Sequence, residues 1–137
     1  MVRIRFGTPS FRSAGEPTAE IWFEADGPFP TAHWNDFALA ILCELIHAID
    51  ASTSTRGPRE VSLYEGDFTV IVHSRSPREG SIEFRDADQV VYAGEQDLAN
   101  LRDQALRALQ QLLALAPDDL KHSDVLKPYL AFCQGGS

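Results

Sequence analysis

The sequence predicts an α+β fold, a two-layer sandwich in which a mostly antiparallel sheet of about 5–6 strands carries two long helices on one face, followed by a short C-terminal helix. Three observations lead to this prediction. Two segments, near 34–50 and 97–116, carry apolar side chains at helical spacing. Several shorter segments alternate apolar and polar residues, as half-buried strands do. The links between neighbouring strand segments are short, which favours antiparallel pairing.

Two strands are expected in the N-terminal region, at residues 2–6 and 19–25, because apolar and polar side chains alternate in both. Between them, residues 8–17 are rich in Pro, Gly and Ser and predict a loop. In the second strand Ile21 and Phe23 share one face. Trp22 is therefore expected to project from the opposite face with Glu20 and Glu24.

The first long helix is expected from Trp34 to about Asp50, with Thr31 as its N-cap and Asp36 in an early turn, where the helix dipole favours an anion. A continuous apolar stripe of this kind must cover a core. The stripe consists of Trp34, Phe37, Ala38, Ile41, Leu42, Leu45, Ile46 and Ile49.

Four further strands are predicted in the middle of the chain, at 60–64, 68–74, 81–85 and 89–92, after a loop at 51–58. Residues 65–67 form a tight hairpin connection, and 86–88 form a turn or a bulge. The second long helix covers about 97–116 and ends at Pro117. A short helix capped by Ser123 or Asp124 continues to about Phe132. Residues 1–133 are expected to form a single domain, and 134–137 a flexible tail.

The chain is acidic, with 20 acidic and 12 basic side chains in 137 residues and a formal net charge of −8. Such a surface repels phosphate, so binding to nucleic acid or to an anionic membrane is not expected. It attracts a basic partner, although solubility alone also accounts for the charge. Two cysteines do not make a disulfide framework, and no segment has the apolar length of a signal peptide or a membrane span. A cytoplasmic location is expected.

Catalytic motifs are not evident, so the chain is expected not to be an enzyme and to need no cofactor or metal. Glu44 and His47 have the Glu-x-x-His spacing of di-iron bundles, but the motif occurs once. Cys43 lies in mid-helix, where a thiol is expected to be buried and inert. The alternative hypothesis is a small enzyme with a cleft lined by His33, Asp36, Glu44 and His47, in which His33 and Asp36 pair across a turn.

Partner binding is the function that the predicted surface favours. Exposed aromatic side chains among carboxylates resemble a hot spot for a basic protein, since the ring supplies energy and the charges set orientation. The alternative is that a loop or the C-terminal helix covers Trp22 and that the turn carboxylates form only a solvated rim. The candidate partner-binding residues are Trp22, Glu20, Glu24, Tyr64, Glu65, Asp67, Glu83, Asp86 and Asp88.

Four features occur together along residues 19–132: Trp34-Asn35-Asp36-Phe37 before an apolar helix, Tyr64-Glu65-Gly66-Asp67-Phe68 in a hairpin, a Leu-rich helix, and Asp118-Asp119-Leu120 leading to Leu126. This order resembles small bacterial immunity-type proteins of polymorphic toxin systems. The resemblance implies a cognate toxin that is neutralised by tight binding, without catalysis, through an acidic surface that occupies the basic cleft of the toxin. The remaining alternative is a homo-oligomeric structural or chaperone-like protein that associates through a strand edge or helix face.

Overall fold

Eight strands and three helices surround one hydrophobic cluster in the computed structural model, which describes residues 1–12, 15–55 and 57–135. The α+β class and the three helices are as predicted. Within those residues, no helix combines the length and the apolar character that crossing a bilayer requires. The elements are β1 (Arg3–Ser10), β2 (Thr18–Glu24), β3 (Pro28–Phe29), β4 (Asn35–Asp36), α1 (Ala38–Thr55), β5 (Arg59–Ser62), β6 (Phe68–Ser74), β7 (Glu79–Asp86), β8 (Gln89–Asp97), α2 (Leu98–Ala114) and α3 (Lys127–Gln134).

The strands form two antiparallel sheets of four strands, where the sequence predicts one sheet of about 5–6 strands. In the N-terminal sheet, β2 pairs with β1 on one side and with the short strands β3 and β4 on the other. The C-terminal sheet is a meander in the order β5-β6-β7-β8. All strands of the N-terminal sheet precede α1 in the sequence, and all strands of the C-terminal sheet follow it.

Helix α1 begins at Ala38 and not near Trp34, so the prediction that Thr31 caps it is wrong. Asn35 and Asp36 are extended and pair with Glu20 and Ala19 of β2. The Asp36 carboxylate accepts hydrogen bonds from the flanking Trp34 and Phe37, which favours this extended turn over a helical one. From Ala38 to Ile49 the predicted stripe is buried as expected, and the helix continues past Asp50 to Thr55.

The C-terminal helices differ in how tightly they are packed. Asp97 caps α2 by accepting the N–H of Asn100 at 3.0 Å, and the leucine stripe of α2 is buried. Helix α3 begins later than predicted and has no fully buried residue. It includes Gln134, which the sequence places in the tail.

Parts of three expected segments lie outside the described residues. They are residues 136 and 137 of the tail, 13 and 14 of the first loop, and 56 of the second loop.

Helices α1 and α2 pack together and against both sheets, and α3 packs on α2. Arg102 of α2 binds both carboxylate oxygens of Asp50 in α1, at 2.8 and 3.1 Å. The two sheets meet through aromatic rings: Phe84 of β7 lies 5.6 Å from Phe23 and 4.5 Å from Phe29, measured between ring centroids. This junction forms the floor of an open cleft.

Candidate functional site

An open cleft of about 350 Å³ lies where the β2–β3 turn approaches the β7–β8 hairpin. Its floor is aromatic. Phe29 stacks on Phe84 with ring planes only 7° apart, and Phe68 meets the edge of Phe29 at 5.7 Å. We call this feature the aromatic cleft and define it by Asp26, Phe29, Phe68, Phe84, Asp86, Val91 and Tyr92.

Local sequence explains how these rings come together. Asp26-Gly27-Pro28 reverses the chain after β2, so that Phe29 pairs with Phe23 on the adjacent strand. Phe84 and Tyr92 face each other across the β7–β8 pair, with their ring centroids 5.2 Å apart. Cross-strand aromatic pairs of this kind stabilise a sheet. Here Phe84 is buried beneath the cleft, and the half-buried Tyr92 lines its wall.

Carboxylates surround the aromatic cleft. Asp26 and Asp86 line it directly, and Asp67 and Asp88 occupy the adjoining turns. The backbone N–H of Ala87 donates to the carbonyl of Asp67 at 2.8 Å, which holds the two turns together. We call Asp26, Asp67, Asp86 and Asp88 the acidic rim. Within the described part of the chain, none of the four forms an ion pair, so their charge faces solvent without compensation.

Tyr64 and Glu65, in the segment before the rim, are both exposed. The Tyr64 hydroxyl donates to Glu44 at 2.8 Å, and its ring meets the edge of Phe37. Partial burial of the hydroxyl and the adjacent Glu44 carboxylate raise the pKa of Tyr64 to about 12, so the hydroxyl remains a donor at neutral pH. Tyr64 is 51% exposed and remains a candidate contact residue.

Trp22 is not the exposed anchor that its strand position predicts, because it is only 9% exposed. The His33 ring packs against it, with the two ring centroids 4.8 Å apart. The indole N–H donates to Glu24 at 2.9 Å. Glu20 is bound to His33 Nδ1 at 2.7 Å. The predicted alternation of β2 is correct, but its outer face is occupied by these internal contacts.

Glu83 lies on the outer face of the C-terminal sheet, where it is half-buried and paired with Arg85. The predicted site residues are therefore distributed over several surfaces and do not form one patch. The structure brings Asp67, Asp86 and Asp88 together at the aromatic cleft, with Tyr64 and Glu65 in the preceding segment. Glu20, Trp22, Glu24 and Glu83 belong to the outer faces of the two sheets.

The residues of the enzyme hypothesis have separate partners. His33 pairs with Glu20 and not with Asp36 as predicted. Asp36 is buried and its carboxylate accepts three hydrogen bonds. Glu44 accepts a hydrogen bond from Tyr64, and the His47 ring packs on Phe132. Across residues 1–12, 15–55 and 57–135, no group of three or more His, Cys, Asp or Glu side chains is arranged to hold a metal ion.

Sequence reasoning missed the floor of the cleft and Asp26. Phe29 lies between Pro28 and Pro30, in a short segment to which the sequence assigns no helix or strand. Phe84 is recognisable as an inward-facing residue from the alternation of its strand, but its partner ring on β3 depends on long-range packing.

No protein-family profile, curated protein or solved structure matches this chain, and the candidate site therefore rests on its geometry.

Proposed function

We propose that this protein is a non-catalytic binding protein that receives a basic protein partner at the aromatic cleft, and that the partner is a toxin domain neutralised in the manner of an immunity protein. The observation that carries the proposal is the coincidence of an aromatic floor and an uncompensated acidic rim at one end of the molecule.

The chemistry of the cleft suits a cationic side chain. A guanidinium group stacks on aromatic faces and binds carboxylates through two parallel hydrogen bonds, and an ammonium group is also attracted to ring faces. Phe68 and Tyr92, which are half-buried, offer ring surface, and Asp26 and Asp86 lie beside them. An arginine inserted here would be both desolvated and paired, which is the arrangement found at binding hot spots.

The overall charge supports the same proposal. A net charge of −8 produces a field that accelerates the approach of a basic domain, and the rim directs that approach to one end. A toxin that cleaves nucleic acid has a basic substrate cleft, which an acidic protein can occupy in place of phosphate. The resemblance to immunity-type proteins favours this class of partner over other basic proteins.

The test is co-expression with a basic toxin domain sought among the neighbouring genes, with growth and affinity as the readouts. The double variant Asp26→Asn/Asp86→Asn removes two rim charges. It should abolish growth protection and weaken binding about tenfold or more, mainly through loss of charge pairing. The matched control is Asp118→Asn/Asp124→Asn, which removes two fully exposed charges outside the cleft. The control should retain protection.

Equal losses in the two double variants would mean that net charge alone drives binding, which contradicts a site at the cleft. Circular dichroism of all variants verifies that each is folded. Absence of any complex between the wild-type chain and the toxin domain would contradict the proposed function itself.

A further inference from the structure

The outer edges of the two sheets are protected to different degrees. Unpaired strand edges present rows of N–H and C=O groups that can pair with another chain, and proteins ordinarily block them. Side chains block the edge of β1 at its N-terminal end, and a register shift between Phe6 and Pro9 interrupts the strand further on. Gln104 of α2 accepts from the N–H of Ile4 at 2.8 Å and donates to the carbonyl of Val2 at 3.1 Å, and Gln96 accepts from the N–H of Val2.

Two other edges are short. The far side of the N-terminal sheet ends in β3 and β4, of two residues each, and Pro28 and Pro30 lack the N–H needed for pairing. The first strand of the C-terminal sheet, β5, has four residues and packs against α1. Short or covered strands of this kind offer no template for a further strand.

Strand β8 is the longest edge strand among the described strands. It has nine residues, forms the end of the C-terminal sheet, and pairs only with β7. Its last two residues are engaged, since Gln96 reaches β1 and Asp97 caps α2. Before them, Val90 and Val91 are 46% and 52% exposed. The pairing with β7 bulges at Val91, since Arg85 pairs with Val90 and Phe84 pairs with Tyr92.

The open edge and the aromatic cleft are continuous, because Val91 and Tyr92 of β8 line the cleft. We infer that β8 accepts an extended basic segment of the protein partner as a fifth strand of the C-terminal sheet. Its backbone pairs with β8 and a cationic side chain enters the aromatic cleft. Strand addition derives affinity from main-chain hydrogen bonds and specificity from alternate side chains. This inference rests on the proposed function, whose partner it describes.

Charge favours a basic segment over a second copy of this chain at the edge. Asp86 and Asp88 lie in the β7–β8 turn, beside the start of β8, and form no ion pair within the described residues. At the other end of β8, Glu95 and Asp97 are paired with Arg75 and Arg78. Association of two copies would bring together two chains that each carry −8, and their net charges repel. A basic segment is attracted to the chain, most strongly beside the acidic rim.

The probe is a blocked peptide of alternating Lys and Val, matched in length to β8 and titrated against the isotope-labelled full chain at low ionic strength. Amide signals from Val90 to Glu95 should shift, and hydrogen exchange of the β8 amides should slow. The control peptide has the same sequence and charge but carries N-methyl groups on its central residues. The methyl groups remove N–H donors from both edges of the peptide strand. It should bind about tenfold more weakly or not at all, because it cannot donate to β8.

Variants of the protein provide a second comparison. Val91→Lys adds a positive charge and a long side chain at the edge and should weaken peptide binding about tenfold. Leu115→Lys is its matched control, since it replaces another exposed apolar residue with the same charge, at the end of α2. The control should change the affinity by less than about twofold, since an isolated exposed charge has little effect.

Equal binding of the methylated and unmethylated peptides would overturn the inference, because it would mean docking by charge alone. Absence of peptide binding, or a micromolar dimer that Val91→Lys converts to a monomer, would also overturn it. If strand pairing fails while Asp26→Asn/Asp86→Asn still abolishes toxin binding, the proposed function stands without strand addition. If the peptide pairs with β8 but the toxin domain does not bind, the proposed function fails separately.

Discussion

The carboxylate of Asp36 accepts a hydrogen bond from the backbone N–H of Glu65 at 3.1 Å, a link between residues 29 positions apart in sequence. The same oxygen accepts the indole N–H of Trp34 at 3.0 Å, and the other accepts the N–H of Phe37 at 2.7 Å. Asp36 is completely buried. One carboxylate therefore joins strand β4 and the start of α1 to the turn that leads into Asp67 of the acidic rim.

Replacement of this carboxylate should be costly. Asp36→Ala leaves three donors without their acceptor in a buried site, and each unsatisfied buried donor costs roughly 1–3 kcal/mol. We expect a loss of about 3 kcal/mol or more in the free energy of unfolding, measured by urea denaturation. Asn35→Ala is the control, because Asn35 is exposed, and should change stability by less than about 0.5 kcal/mol. A loss below about 1 kcal/mol for Asp36→Ala would contradict this account.

The junction of the two sheets depends on Phe84, which is buried and stacks on Phe29. Phe84→Ala should destabilise the fold by about 3–5 kcal/mol, through lost apolar burial and the cavity left behind. Phe84→Leu retains most of the volume and should cost roughly 1–2 kcal/mol. Thermal unfolding of both variants tests this order. Equal losses of stability in Phe84→Ala and Phe84→Leu would show that the surrounding residues relax into the space of the missing ring.

Trp22 is expected to act on stability, because it is buried between His33 and Glu24. Trp22→Ala should lower the free energy of unfolding by about 3 kcal/mol. Trp22→Phe retains an aromatic ring but loses the N–H that Glu24 accepts, and should cost about 1 kcal/mol. Denaturation followed by circular dichroism avoids dependence on tryptophan fluorescence. An unchanged midpoint in Trp22→Ala would mean that the ring is not packed.

Alkaline pH should destabilise the protein through Cys43. Burial, with smaller contributions from Cys133 and Glu44, raises the pKa of this thiol from 9.0 to about 12. Between these values the unfolded thiol loses its proton while the folded thiol keeps it, so stability is present below pH 9 and is lost as the pH rises to 12. The slope is about 1.4 kcal/mol per pH unit.

Cys43→Ala isolates this contribution, because other titrating groups cancel in the comparison. Under reducing conditions, the wild-type chain should lose about 2 kcal/mol more than Cys43→Ala between roughly pH 8 and pH 10.5. Urea denaturation at several pH values provides the measurement. Parallel stability curves for the two proteins would show that the thiol ionises equally readily in both states.

Periodicity predicted the elements that bury a regular face. The apolar stripe from Ala38 to Ile49 predicts which side of α1 faces the core, and the alternation in β2 and β6 does the same for those strands. Neither prediction requires knowing which element packs against that side. The start of α1 was misplaced because the local signal at Asp36 is compatible with a cap. What holds Asp36 extended is its contact with Glu65, which sequence spacing does not reveal.

The site was predicted only in part for a similar reason. Residues 65–67 and 86–88 were recognised as turns from their composition, so Asp67, Asp86 and Asp88 were found. Trp22 was expected to be exposed because alternation identifies the outer face of a strand but not what covers it. One ring that packs against Trp22 belongs to His33, which has a left-handed backbone conformation (φ 61°) that is uncommon outside glycine.

At the aromatic cleft, packing of aromatic rings joins the N-terminal sheet to the C-terminal sheet. Within the described residues, no strand of one sheet forms a ladder of backbone hydrogen bonds with a strand of the other. The depth of the cleft consequently depends on side-chain volume at Phe29, whose ring forms part of the floor. A smaller side chain at this position would deepen the cleft and would also loosen the junction between the two sheets. Such variation offers a simple route by which related chains could come to recognise different molecules.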